Sequence, residues 1–433
     1  MKKRIFTAGI LLSFFSAFNP FLIRSILLTS AFVVMPVSSE LYASDRATFY
    51  FNRAFNKAKK GDYDGAIKDY TKAIKINPKE ANAFFNRGIS KHNLNDYSGA
   101  IKDFSKVIEI IPNDKEAFYR RGLAKDENND YEAAIKDFEK AIKIDPNYSN
   151  AYVEIGFIYA ERLKDLKKSL RFFNQAIKID PKYATAYYNR GIVYKDSLKK
   201  YSLAVADFKK AIELKPDYYQ SYNYLGIIKE DNKDFKGAIK EYSKAIEINP
   251  KYLYGFYNRA FVKSSIKDFK GAISDYTKAI EIDKTFIRAY INRSLIKDEE
   301  FQDYSGAIAD LNEVIKIDNN YALAYYNRGV VKGKLKDYSG ANEDYTKSIE
   351  LDTQYKNAYF NRGLNKSDQF QDYLGAIADF TNFLRIDSQN DAAYYYRGVA
   401  KGNLDDMKGA CLDWKKSASL GNKTAREFIK NDC

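Results

Sequence analysis

From residue 47 onward, apolar and small residues recur with a period of 34 or 35 positions. Within each period the apolar positions form two stretches with the spacing of one helix face, and a short polar turn separates them. In the first period, Tyr50 and Ala54 lie on the first stretch, and Ile67 and Tyr70 lie on the second. No stretch alternates apolar and polar residues with the period of two that is typical of strands. The pattern therefore predicts an all-α chain built from helical hairpins.

The periods number eleven, which predicts about eleven hairpins. A single hairpin of this size cannot bury both of its apolar faces, so neighbouring hairpins are expected to stack into one continuous solenoid. Small residues recur at the eighth position of the period, and a bulky side chain recurs at position 24, which predicts a close approach of the two helices of a hairpin. The periods begin at Ala47, Ala81, Lys115, Ser149, Ala184, Tyr219, Leu253, Ile287, Ala322, Lys356 and Asp391.

This repeat resembles the tetratricopeptide repeat (TPR) family over residues 47 to about 421. The resemblance implies an α-solenoid with right-handed superhelical twist, whose concave groove is lined by the first helix of each hairpin. It also implies a role in binding other proteins. The sequence departs from the family pattern at the end of units seven to ten, where the usual proline is replaced, and in unit eight, where Ser294 takes the place of glycine. The replacements of the proline are Lys284, Asn319, Thr353 and Ser388.

The two ends of the chain fall outside the repeats. Residues 1–44 begin with Lys2, Lys3 and Arg4 and continue with two apolar runs, which predicts an export signal or an uncleaved membrane anchor. We therefore expect export to a periplasm, a lumen or the cell exterior, with possible attachment to a membrane. The repeat array is expected over residues 45–421, and residues 422–433 are expected to form a short capping helix and a tail.

The formal net charge of +14 raises nucleic acid as an alternative partner. Lysines of the second helices alternate with aspartate and glutamate, however, which is typical of a solvated helix face with pairs between successive turns. Nucleic-acid binding by a basic solenoid stays open as the less favoured alternative. Only two cysteines occur, Cys411 and Cys433, and a core thiol with a free terminal thiol is favoured over a disulfide.

Two charged positions recur together within the repeats. Nine units carry arginine at position 7, and the same nine carry aspartate at position 23. Unit four has Ile155 and Phe172 instead, so both members are lost at once. Because paired changes of this kind are typical of contact, we predict an arginine–carboxylate ion pair with a structural role.

An enzyme is not predicted. The only histidine is His92, which is expected to be a solvated surface side chain, and no phosphate-binding glycine loop or metal-ligand spacing is present. Carboxylates recur in every unit, whereas an active site needs one distinctive place. The sequence therefore predicts no catalytic residue, no cofactor and no bound metal.

Positions 5 and 6 of the units supply the candidate partner-binding residues. An asparagine amide both donates and accepts, so a ladder of asparagines could hold the backbone of an extended peptide, and neighbouring tyrosines could add apolar contact. The alternative is structural, with tyrosines packed between helices and asparagines bonded to their own neighbours. The candidates are Asn86, Arg120, Asn189, Asn258, Asn292, Asn327, Asn361, Tyr188, Tyr257 and Tyr326.

The favoured function is an exported or membrane-tethered scaffold for protein–protein interaction, which holds a peptide or a partner protein in its groove. A second possibility is an assembly factor or chaperone-like holder for envelope or photosynthetic complexes, as the family resemblance implies. The oligomeric state is left open by the sequence.

Overall fold

The computed structural model describes residues 45–433, and the regular structure within that range is helical throughout. The helices form eleven pairs, hairpins 1 to 11, followed by a last helix. The pairs are α1 (Asp45–Lys59) and α2 (Tyr63–Ile76), α3 (Ala81–Asn93) and α4 (Tyr97–Ile110), α5 (Lys115–Glu127) and α6 (Tyr131–Ile144), α7 (Ser149–Glu161) and α8 (Leu166–Ile179), α9 (Ala184–Ile192) and α10 (Tyr201–Leu214), α11 (Tyr219–Asp231) and α12 (Phe235–Ile248), α13 (Leu253–Ser265) and α14 (Phe269–Ile282), α15 (Ile287–Glu299) and α16 (Tyr304–Ile317), α17 (Ala322–Lys334) and α18 (Tyr338–Leu351), α19 (Lys356–Asp368) and α20 (Tyr373–Ile386), α21 (Asp391–Gly402) and α22 (Met407–Ser419); α23 spans Lys423–Asp432.

The chain divides into two compact units, an N-terminal unit that runs to Ile228 and a C-terminal unit that begins at Lys229. Hairpins 1 to 5 belong to the first unit and hairpins 7 to 11 to the second. Within each unit, the two helices of a hairpin pack together, and the second helix also packs on the first helix of the next hairpin. The predicted all-α solenoid of helical hairpins is thereby confirmed.

An aspartate starts nearly every second helix. In hairpin 7, the Asp268 side chain accepts a hydrogen bond of 3.0 Å from the backbone N–H of Gly271, which satisfies one of the free donors at the helix start. A Cβ atom on Gly271 would collide with that carboxylate, so the glycine leaves room for the cap. The same arrangement recurs at Asp62, Asp96, Asp234, Asp303, Asp337, Asp372 and Asp406.

The extra residue of the 35-residue units is absorbed in the turn between the two helices. In hairpin 9, the N–H of Asp337 bonds to the carbonyl of Lys332, five residues earlier, at 2.9 Å. In the longer hairpin 10, Asp372 bonds to Lys366, six residues earlier, at 2.8 Å. In hairpin 5, the added residue forms a π-helical turn, Val193–Ser197, at the end of the first helix. The second helix therefore keeps its aspartate cap in the longer hairpins 8 and 10, whereas in hairpin 5 Lys200 stands at that position and gives no side-chain cap.

The small residues allow the close approach that the sequence predicts. A Cβ atom on Gly122 would lie 2.7 Å from the ring of Phe138, which is itself fully buried. In hairpin 8, the serine that replaces glycine faces a smaller partner, because position 24 there is Leu311. The Ser294 hydroxyl donates to the Ile291 carbonyl at 2.8 Å, so the buried hydroxyl is satisfied.

The predicted capping helix is α23, and it carries one correction. Phe428 of α23 packs on Trp414 and on Tyr395, with ring centroids 4.9 and 5.6 Å apart. The preference for two unpaired cysteines is wrong, because Cys411 and Cys433 form a disulfide. The reason is positional: α23 returns along α22 and brings the last residue of the chain to the middle of that helix, with a Cα–Cα distance of 5.7 Å.

The predicted export signal or anchor, residues 1–44, lies outside the described residues. Within residues 45–433, no helix combines the length and the apolar character needed to cross a bilayer.

Candidate functional site

The predicted ion pair is a two-pronged contact between the helices of one hairpin. In hairpin 3, Nε and Nη2 of Arg121 donate to the two carboxylate oxygens of Asp137, each at 2.8 Å. Lys125, one turn after Arg121, adds an ammonium 2.7 Å from the same carboxylate. Asp137 is buried, so both cations offset the cost of removing its charge from water. The lysine was not predicted, although its position recurs along the sequence with the same period.

All nine predicted pairs form, so the hypothesis of a structural ion pair is confirmed. They are Arg53–Asp69, Arg87–Asp103, Arg121–Asp137, Arg190–Asp207, Arg259–Asp275, Arg293–Asp310, Arg328–Asp344, Arg362–Asp379 and Arg397–Asp413.

Each of these arginines in hairpin 2 or later also reaches the hairpin before it. The Nη1 atom of Arg121 donates to the Ser105 hydroxyl on α4 at 3.0 Å, and its guanidinium lies 5.4 Å from the ring centroid of Phe118. In the C-terminal unit, Arg362 makes the equivalent contact with Thr346 of α18 at 2.9 Å. One arginine therefore fixes the geometry of its own hairpin and the joint to its neighbour.

The candidate tyrosines and asparagines of the C-terminal unit bond to each other across hairpins. The Asn292 amide nitrogen lies 3.3 Å from the Tyr257 hydroxyl and 3.2 Å from that of Tyr276. Asn361 donates to the Tyr326 hydroxyl at 3.3 Å. Burial raises the pKa of both Tyr257 and Tyr326. These contacts are those of the structural alternative, and a role in holding a partner stays a prediction for these residues.

Other candidates differ in their exposure. Asn258 and Asn327 are half-buried, whereas Asn86, Asn189 and Tyr188 are buried.

Arg120 donates from Nε to the Glu116 carboxylate at 2.7 Å, and the other oxygen of that carboxylate accepts from the Tyr148 hydroxyl. Arg120 therefore has a partner within its own helix. Its use as a partner-binding residue is also untested.

One accessible apolar feature of the first helices was not identified from the sequence. Position 9 of hairpins 8 to 11 carries an aliphatic side chain, three residues after position 6 and so on the same helix face. Leu295 is 37% exposed, and its three equivalents are half-buried. We name this set the position-9 stripe, and its members are Leu295, Val330, Leu364 and Val399.

The expectation of a solvated histidine is wrong. His92 is buried, and its ring lies edge-on to Tyr97 with a centroid distance of 5.3 Å, because the end of α3 folds against the start of α4. Among residues 45–433, no group of three or more histidine, cysteine, aspartate or glutamate side chains is arranged to hold a metal ion.

The repeats match known family models along most of the described chain. Residues 81–114, 184–218, 219–252, 254–286 and 322–355 match one tetratricopeptide repeat model, and residues 116–148 match a second. Residues 57–95, 163–197 and 301–336 match a third, described as TPR repeat. Together these matches cover more than half of the sequence. The chain belongs to the tetratricopeptide repeat family.

Several solved structures are similar to this chain. MamA shares 28% identity over 39% of this chain and 96% of its own, with a TM-score of 0.35. A tetratricopeptide repeat protein from Parabacteroides merdae ATCC 43184 shares 20% identity over 56% of this chain and 98% of its own, with a TM-score of 0.41. Yeast Tom70 shares 16% identity over 88% of this chain and 93% of its own, with a TM-score of 0.40. A comparison with curated proteins gives no match.

Proposed function

We propose that this chain is an exported or membrane-tethered scaffold that binds a segment of another protein along the first helices of hairpins 8 to 11. The observation that carries the proposal is the position-9 stripe, in which four successive hairpins each present an accessible aliphatic side chain. Accessible apolar residues that line up on one face are typical of sites that a partner covers.

The face beside the stripe adds a polar group that suits a peptide backbone. The Asn292 amide nitrogen already donates to two tyrosine hydroxyls, so its carbonyl oxygen is the group that it can offer to a partner's N–H. The second helices α14 and α18 differ in character, since their exposed faces carry the ion pairs Lys278–Glu281 and Lys347–Glu350. An apolar segment is therefore favoured on the first helices over the faces of α14 and α18.

Site-specific photo-crosslinking in the native cell tests this proposal. A photoreactive amino acid replaces Leu364 of the stripe in the full chain, and in a matched variant it replaces Lys347 on the exposed face of α18. We expect protein adducts from position 364 that are absent from position 347. Adducts of equal yield from both positions, or adducts that nuclease removes, would contradict a protein-binding stripe.

Export has a separate test. The N-terminus of the protein purified from its native cell is sequenced, and its compartment is established by fractionation. Cleavage within residues 37–44, or retention of the intact leader in a membrane fraction, is expected. An intact leader in the soluble cytosolic fraction would contradict export and tethering.

A further inference from the structure

The turns between the two helices of each hairpin expose a second apolar feature in the C-terminal unit. In hairpins 7 to 11, the residue immediately before the one with positive φ is always large and apolar. These side chains project from the turns and are exposed over two fifths or more of their surface. We name them the turn row, and they are Ile266 (47%), Phe301 (42%), Leu335 (50%), Phe370 (49%) and Leu404 (41%).

The turn itself does not require an apolar residue at this position. Hairpins 1, 3 and 6 carry Lys60, Asn128 and Asn232 there. The Asn128 N–H bonds to the carbonyl four residues earlier at 3.0 Å, and the Ile266 N–H makes the same bond at 3.1 Å. Because asparagine closes the turn equally well, five exposed apolar residues in succession are not explained by the local fold, and their exposure favours a covering partner.

The same turns are acidic, although the chain as a whole is strongly basic. Each residue of the turn row is followed two positions later by an exposed aspartate, as in Phe301 and Asp303. The five turns, residues 266–268, 300–303, 335–337, 369–372 and 403–406, contain seven carboxylates and two lysines. A bilayer with anionic lipids, or a nucleic acid, would be repelled by such a surface. A cationic partner with apolar side chains would be attracted.

We propose that the turn row is a second docking surface, distinct from the position-9 stripe, and that it binds a basic amphipathic segment of another protein. The apolar side of that segment covers Ile266, Phe301, Leu335, Phe370 and Leu404, and its lysines or arginines meet the aspartates that follow them. This surface works independently of the function proposed above, because it is built from turns and not from the faces of the first helices.

Binding of defined peptides to the full chain tests the surface. The probe is a fluorescent peptide about three heptads long in which leucines form one helix face and lysines fill the rest. A peptide with glutamate in place of lysine tests the charge, and a scrambled leucine–lysine peptide tests the amphipathic pattern. The variant is Ile266→Asn, Leu335→Asn and Leu404→Asn, which copies the residue that hairpin 3 carries naturally. Leu94→Asn, at the exposed equivalent turn of hairpin 2, is the matched control.

We expect the leucine–lysine peptide to bind the triple variant roughly tenfold or more weakly, while Leu94→Asn binds it as the parent chain does. The glutamate and scrambled peptides are expected to bind at least tenfold more weakly to the parent chain. Equal binding to the triple variant, whose unfolding midpoint must match that of the parent, would overturn the proposal. So would equal binding of the glutamate peptide, or turn-row-dependent sedimentation with vesicles of phosphatidylglycerol and phosphatidylcholine.

Discussion

Hairpins 3 and 4 are neighbours that each pair two helices, yet they join those helices by opposite means. Hairpin 3 joins its helices through Arg121 and Asp137, with Lys125 beside them. Hairpin 4 has three apolar residues at the equivalent positions, and two of them, Tyr159 and Phe172, stack with their planes at 14° and their centroids 5.7 Å apart. The third, Ile155, is fully buried.

The difference shows that the fold needs complementary side chains at these positions and does not need charge. A buried ion pair gains Coulomb energy but loses the hydration of both ions, so an apolar set of similar size can be as stable. What neither hairpin can tolerate is a buried charge with no counter-charge, because such a charge stays desolvated. This accounts for the loss of arginine and aspartate together in hairpin 4.

The largest effect is expected from removing the carboxylate alone. Asp137→Ala leaves Arg121 and Lys125 facing each other without a counter-charge, and should lower the free energy of unfolding by about 3 kcal/mol. Thermal unfolding and hydrogen exchange of α5 and α6 measure this. Lys106→Ala, which breaks the exposed Lys106–Glu109 pair, is the control and should cost less than about 0.5 kcal/mol. Equal effects of the two variants would show that the buried pair is dispensable.

Acid should weaken the charged hairpin 1 before the apolar hairpin 4. In hairpin 1, hydrogen bonds from Arg53 lower the pKa of Asp69 to about 2, with a smaller contribution from Lys57. Since the folded pKa lies below the usual value of 3.8, the contribution of this carboxylate is fully present above that value and is lost as the pH falls toward 2.

The measurement compares the parent chain with Asp69→Asn at pH 5 and at pH 2.5. The difference between their unfolding midpoints should shrink by more than half at the lower pH, because at pH 2.5 the unfolded chain binds a proton at Asp69 that the folded protein mostly does not. Phe172→Leu in hairpin 4 serves as the control, and its effect should not depend on pH. A constant difference for Asp69→Asn would contradict the lowered pKa.

Repetition explains why so much of the fold could be predicted from one sequence. Eleven copies of one unit reveal which positions change together, so the hairpins, the close approach at Gly122 and the pair of Arg121 with Asp137 were all predictable. Features that occur once lack this support. The disulfide depends on where α23 places Cys433, and the burial of His92 depends on how α3 meets α4.

The binding face was predicted less well than the core. An asparagine at position 6 can turn toward a partner or toward the tyrosine of the preceding hairpin, and its spacing along the sequence is the same in both cases. The structure shows the second contact for Asn292 and Asn361. Exposure of position 9 and of the turn row depends on how hairpins stack, so periodicity alone could not separate these residues from the core.

The smallest effect is expected when the whole charged set is exchanged for the apolar one. Arg121→Ile, Lys125→Tyr and Asp137→Phe together install the residues of hairpin 4 in hairpin 3, and should change the free energy of unfolding by no more than about 1 kcal/mol. The contact of Arg121 with Ser105 is lost as well, which sets a small cost against the gain in apolar burial. Asp137→Phe alone should be more destabilising than the triple, because it leaves Arg121 and Lys125 without a counter-charge. The reciprocal exchange in hairpin 4, Ile155→Arg with Tyr159→Lys and Phe172→Asp, should be tolerated in the same way. A triple variant as unstable as the sum of its singles would mean that the surroundings of each hairpin, and not the three residues themselves, decide which solution it can use.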